Sequence, residues 1–305
     1  MSALNNKQLN KIWGYRALYA MILVGVVYFF IFNYAILYGL LIMFKNYRIR
    51  LGIMGSPWAG LSNFPMALGN PDLPRIVFNT LYISFLKLLF GFPAPIILAL
   101  LLNELRSTRY KRIIQSLLYL PHFLSWIIMA GILQNLFSVT SGVFPLFMRS
   151  LGVEMPSLMG DPNYFIGFLV GSGVWAGAGW GTIIYLAAIS GIDAELYESA
   201  VMDGCNRFQQ ALHITLPCIA LTIVTLLVLN VGGIMNAGFD QIFNLYSDRT
   251  RRVSDIIDTY VYRLGLVNGR FEFSTIIGVF KSLVNAVLLV TVNWVAGKLG
   301  ESSPL

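Results

Sequence analysis

Hydrophobic positions along this chain fall into long apolar runs separated by short polar stretches, with neither strict alternation nor a narrow helical stripe. Six runs stand out, at about 17–44, 76–103, 113–137, 164–192, 216–235 and 274–297. Each reaches the roughly 20 residues that a helix needs to cross a bilayer. The pattern therefore predicts six spanning helices. In the second run Pro93 and Pro95 predict a kink, because proline lacks the donor and crowds the carbonyl one turn back. Gly171, Gly173, Gly177, Gly179 and Gly181 in the fourth run predict close helix approach within a bundle.

Composition agrees. Of 305 residues, 57% are hydrophobic and 11% charged, against about 25% charged in an ordinary globular domain, and the mean hydropathy is +0.70. The length holds six spans and their loops but no second soluble domain, so the expected organisation is one membrane domain, 17–297, between short segments at 1–16 and 298–305. Lys7, Lys11 and Arg16 precede a first run that continues to Phe44 without a small-residue cleavage site, which predicts a retained span rather than a signal peptide. The net charge of +7 is spread among apolar segments, so lipid head groups suit it better than nucleic acid. Cys205 and Cys218 flank a polar loop and predict no structural disulfide. Charge does not orient the chain: with the N-terminus inside, nine Lys/Arg fall in the inner regions and ten in the outer ones, where a clear inner excess is the rule.

The stretch after the fourth run, Asp193 to Pro217, is too polar to span and too helix-prone to be an idle loop. Asp193 suits an N-cap, Ala194 to Met202 carry no Gly or Pro, and Gly204 suits a left-handed stop. Asn206 with Gln209 three residues on forms a capping-box pattern for a second helix. Leu196 and Ala200 share one face of the first helix, with Tyr197 and Val201 beside them, while Glu195, Glu198 and Asp203 supply charge. Such a short amphipathic helix suits a groove on a partner protein; its acids suit anionic lipid poorly.

The order Glu198, Ala200, Asp203, Gly204, Ile214, Leu216, Pro217 resembles the EAA loop of binding-protein-dependent ABC importer permeases of the maltose type. Ser199 stands where the family usually has its first Ala, and Cys205 where a small Ala is common. NTLYIS (79–84), ALLLNEL (99–105), YLPHFLSW (119–126) and IDTYVYRLGL (257–266) resemble the subgroup that handles complex oligosaccharides. The resemblance implies an all-α, six-span type I ABC importer permease in the bacterial cell membrane, with both termini and the 193–215 loop cytoplasmic. It implies a second permease subunit, an ATPase dimer and an extracytoplasmic sugar-binding protein as partners. Glu198, Ser199, Ala200, Asp203, Gly204, Leu216 and Pro217 would couple ATPase closure to the spans. The chain carries no G-x-x-x-x-G-K-[ST] loop, so ATP and Mg are expected on the separate ATPase, with no cofactor, metal or catalytic residue here.

Sugars are bound by aromatic faces together with amides and hydroxyls. Gln134, Asn135, Trp175, Trp180, Tyr185, Asn230 and Asn236 are the candidates within the runs, and for any one of them bundle packing is the commoner role. Lys87 and Lys281 are costlier to bury, by about 2.5–3.5 kcal/mol at mid-membrane. A uronic-acid carboxylate would answer that cost, and so would snorkelling or backbone carbonyls. The polar stretch from about Ala237 to Phe273 is a candidate docking surface for the binding protein or a solvated loop. Two other functions stand beside the importer. An ion-coupled transporter of a small polar solute usually shows acids within its spans, and only Glu104, at a boundary, qualifies. A membrane enzyme would need a motif such as H-E-x-x-H or G-x-S-x-G, and none occurs; His122 and His213 lie on different segments and read as structural.

Overall fold

The computed structural model describes residues 14–298, so most of the expected N-terminal segment 1–16 and of the tail 298–305 lies outside the described residues. Among them the chain is helical, with one isolated bridge between Lys45 and Trp58. It divides into two units, one of residues 1–69 with 264–276 and one of residues 70–263 with 277–305.

In the first unit helix α1, Arg16–Phe29, runs on through a π turn, Phe30–Tyr34, and a 3-10 stretch, Ala35–Phe44. Its apolar side chains are exposed along its length. That is expected of a helix whose solvent is lipid. Just past its end Lys45 donates to Ile53 O and Met54 O, and Asn63 donates to Lys45 O.

The second unit is built around one long helix. In chain order it contains α2 (Leu73–Gly91), α3 (Pro93–Asn103), α4 (Thr108–Tyr119), α5 (Trp126–Phe137), α6 (Pro162–Ser190), α7 (Ala194–Met202), α8 (Ala220–Gly232), α9 (Phe239–Leu245) and α10 (Ile257–Tyr262). Helix α11, Phe271–Lys298, begins in the first unit and continues in the second. Helix α6 packs along α2 and α3. Its glycines divide by role: a Cβ on Gly179 would overlap Leu118 O and one on Gly181 would lie 2.8 Å from Pro95 Cγ, whereas Gly171 and Gly177 meet nothing. Close approach is thus made at two glycines, and Gly177 leaves space. One apolar cluster joins Ile83, Met129, Leu133, Phe165, Leu169 and Ile242; a second joins Ala99, Tyr185, Ile189 and Ile219.

Among the described residues four helices are long and apolar enough to cross a membrane, Arg16–Phe44, Leu73–Asn103, Pro162–Ser190 and Phe271–Thr291, and the number reaches six when each of two bent pairs is counted as one span. The bends fall where the hydropathy pattern gives no warning. The run at 113–137 is broken by 107° between Phe123 and Trp126. Pro121 is the second residue of a 3-10 turn, Leu120–Phe123, Leu124 and Ser125 are extended, and Ser125 caps α5 by accepting from Ile128 N–H at 3.4 Å. The fifth run is continuous backwards to Arg207 and bends by 64° beside Pro217, at Ile219. At Pro93 and Pro95, by contrast, the helix is interrupted only at Phe92, whose N–H still reaches Leu88 O at 3.0 Å, and it passes as one 31-residue span.

Candidate functional site

The loop between α6 and α8 is rigidly built. Asp193 Oδ1 accepts from Glu195 N–H at 3.0 Å to open α7. At the far end Gly204 takes φ +78°, and Cys205 N–H returns to Ala200 O at 2.9 Å. A side chain at that φ pays a conformational cost that glycine escapes. Asn206 and Gln209 then exchange both capping bonds, at 2.8 and 2.9 Å. Tyr197 Oη meets Thr215 Oγ1 at 2.9 Å, so α7 is tied to the chain that returns toward α8.

Apolar side chains are exposed on this element among charged and polar ones. Ala200 is buried and Tyr197 half-buried, while Leu196, Val201, Met202 and Phe208 are exposed, Met202 to 87%. Leu196 and Ala200, expected on one face, therefore meet different surroundings: the alanine packs inward and the leucine points out. Glu198, Ser199, Asp203 and Pro217 are exposed and Leu216 half-buried. Arg207 approaches Glu104, after α3, at 3.9 Å with both side chains largely solvated.

A second site lies inside the bundle. Ser84 and Lys87 of α2, Gly177, Gly181 and Tyr185 of α6, Asn230 of α8, and Asn236 line a cavity of about 390 Å³. Phe92, Pro95 and Ile184 supply its apolar walls. Four of the nine candidates for the substrate path, Lys87, Tyr185, Asn230 and Asn236, are thereby brought together. Gly177 also borders a neighbouring cavity of about 650 Å³, which His122, Trp126, Asp240 and Asn244 help to line.

The remaining candidates lie elsewhere. Trp175 borders an apolar cavity with Phe137, Phe144 and Phe168. The Trp180 ring stacks on His122, with centroids 4.7 Å apart and planes 4° from parallel. Gln134 and Asn135 are exposed on α5, and Asn135 Nδ2 donates to Gly131 O of its own helix. Lys281 of α11 donates to Asp258 Oδ1 at 2.6 Å, Asp258 Oδ2 at 2.8 Å and Asn236 Oδ1 at 2.9 Å.

Lys87 is held differently. Its Nζ donates to Ala237 O at 2.6 Å and to Gln241 Oε1, and no carboxylate lies within ion-pair distance among the described residues. Gln241, 2% exposed, turns its amide to Leu169 O at 2.7 Å and Ser172 Oγ at 2.9 Å. Gly238, at φ +88°, makes room, since a Cβ there would lie 2.8 Å from Lys87 Nζ.

The part of the polar 237–273 stretch that falls in this unit is packed around Gln241, Thr250 and 254–260, while Asp240, Asp248, Arg249 and Arg252 stay exposed. Asp255 is 2% exposed, accepts from Thr259 Oγ1 at 2.8 Å and pairs with both terminal nitrogens of Arg263. Burial works against the guanidinium charge, but Asp255, with Tyr246, outweighs it and holds Arg263 above the ordinary arginine range. Asn79 of α2 donates to Arg252 O and Asp255 O, and Thr80 Oγ1 accepts from Ile257 N–H. Ser84, Gln241 and Asp258 are the residues that reading the sequence missed. Asp258 lies in a segment read as a loop, and a period-based reading gives no signal for a partner 23 positions away.

Comparison with known proteins places this architecture. Residues 91–300 match the family described as binding-protein-dependent transport system inner membrane component. Protein LplB of Bacillus subtilis is 44% identical over 284 residues, 93% of this chain and 89% of the relative. The polygalacturonan/rhamnogalacturonan transport system permease protein YteP of the same organism is 42% identical over 93% of this chain and 88% of its own length. A chain of a bacterial alginate ABC transporter, solved in complex with an alginate pentasaccharide-bound periplasmic protein, superposes with a TM-score of 0.87 at 37% identity, covering 96% of this chain and 98% of that one. With more than half its length matched by the family model, and with relatives of this identity along nearly all of it, the chain belongs to the binding-protein-dependent transport system inner membrane components.

Proposed function

We propose that this chain is the permease subunit of an ATP-driven oligosaccharide importer and that α7 with the turn at Gly204 is its coupling element. The observation that carries the reading is the set of exposed apolar side chains Leu196, Val201, Met202 and Phe208, interleaved with the exposed acids Glu195, Glu198 and Asp203, on a segment pinned at both ends by caps and by Tyr197. Exposed apolar side chains on a rigid short helix form a knob for a partner groove. The partner is the ATPase dimer, which holds ATP and Mg; this chain supplies no catalytic group. Glu198 and Ser199 lie on the same helix as the exposed apolar side chains, Asp203 caps it, Ala200 is its buried residue, and Leu216 and Pro217 follow Thr215, which Tyr197 contacts, on the way to α8. A second, paralogous permease completes the path, and the loop and both termini lie on the cytoplasmic side.

The substrate is an oligosaccharide delivered by an extracytoplasmic binding protein. Support comes from a cavity that combines a buried tyrosine, amides and apolar walls and from relatives whose names refer to polygalacturonan, rhamnogalacturonan and alginate. Ion coupling finds no comparable support, since Asp258, beside the last span, is engaged by Lys281.

Gly204 provides the test. A Cβ there meets nothing within this chain, so inside the subunit a substitution acts through φ. In the assembled complex Gly204→Val is expected to abolish most sugar-stimulated ATPase and uptake, and Gly204→Asn to lose less, because asparagine tolerates the left-handed region better. Equal and unimpaired transport by both variants would remove the coupling role.

A further inference from the structure

Resting on the importer reading above, we infer that Lys87 and Ser84 form a carboxylate subsite in the 390 Å³ cavity, so that the pathway selects acidic saccharides.

Lys87 sits midway along the 31-residue span Leu73–Asn103, where an ammonium group is most expensive to hold. Its two acceptors, Ala237 O and Gln241 Oε1, are neutral. A neutral donor would serve such acceptors equally well. Asn79 does so eight residues earlier on the same helix, donating to two carbonyls. The charge itself is therefore in excess of what the fold uses. Lys45 is also held by carbonyls, but it lies one residue past the end of its span, where the cost of charge is small.

The second observation is Ser84, three residues before Lys87 and so on the same side of α2. It lines the same cavity, is 6% exposed, and its hydroxyl is buried without a hydrogen-bond partner in the structure. Buried hydroxyls are normally paired. An ammonium donor lacking a counter-charge and a hydroxyl lacking a partner, at the wall of one cavity, together match a carboxylate. Tyr185 and the flanking apolar wall offer a face to the sugar ring that carries it, and Gly177, with open space where a Cβ would be, leaves the neck toward the neighbouring cavity clear.

The test uses the reconstituted complex with both permeases, the ATPase and the binding protein in proteoliposomes. Uptake of a uronic-acid oligosaccharide is compared with uptake of its carboxyl-reduced counterpart of equal length. Taking each variant relative to wild type cancels the binding protein's own preference. Lys87→Gln is expected to lower uptake of the acidic sugar about tenfold or more, as loss of a charged hydrogen bond does, and of the reduced sugar by less than about threefold. Lys87→Arg keeps most acidic uptake. Equal loss for both sugars makes Lys87 a support for Ala237 and Gln241 only, and overturns the subsite; no loss for either does the same. If Lys87→Gln does not assemble, Ser84→Ala carries the test, since that hydroxyl holds nothing in the structure: about threefold weaker uptake of the acidic sugar is expected, and unchanged uptake overturns the subsite. A wild-type complex that hydrolyses ATP yet imports neither sugar would refute the importer reading itself, a separate outcome.

Discussion

Lys281 and Lys87 both lie within long apolar helices of this permease, and the structure treats them in opposite ways. Lys281 is neutralised by Asp258, with side-chain exposures of 16% and 26%. Lys87 is bound only by a carbonyl and an amide, beside a cavity. A charge that meets its opposite within the chain is spent on holding helices together. One that meets only neutral acceptors remains available to whatever enters.

The sharpest way to break this comparison is to strand Lys281. Asp258→Leu leaves an uncompensated ammonium, and the expected loss is about 3 kcal/mol, at the low end for a broken buried pair because both groups keep some exposure. Thermal unfolding of the purified complex measures it, and adding Lys281→Met should recover most of the loss. A double variant as unstable as the single one would mean that the pair is not the unit of stability.

A smaller effect is expected at Gln241, which bridges Lys87 to α6. Gln241→Leu deprives Leu169 O, Ser172 Oγ and Lys87 of a partner each, for a cost of about 2 kcal/mol. The smallest effect is expected at Lys87 itself. Lys87→Gln should change unfolding stability by under about 1 kcal/mol, because losing a donor is offset by losing a buried charge. A destabilisation matching that of Asp258→Leu would make the two lysines equivalent and end the comparison.

The 193–217 loop, proposed above as the coupling element, was the most legible part of the sequence, because every feature that shapes it acts within a few residues: the Asp193 cap, the Gly204 stop, and the Asn206 and Gln209 box. Its exposed knob was less so. The division between buried Ala200 and exposed Leu196 is set by packing, as is the contact of Tyr197 with Thr215 across 18 positions. The inner cavity was half legible. Residue type singled out Lys87, Tyr185, Asn230 and Asn236, but equally Trp175 and Trp180, which the fold turns to packing against Phe137 and His122.

By itself the sequence determined that the chain is a helical membrane protein with about six apolar runs, and its 193–217 motif tied it to a family, since hydrophobic length and local capping depend on neighbours along the chain. Only the tertiary structure decided where the third and fifth runs bend, which glycines of α6 touch another helix, and which lysine is neutralised. Those outcomes rest on pairs far apart in sequence, Lys281 with Asp258, Lys87 with Gln241 and Gly179 with Leu118, that no periodicity encodes and only packing brings together.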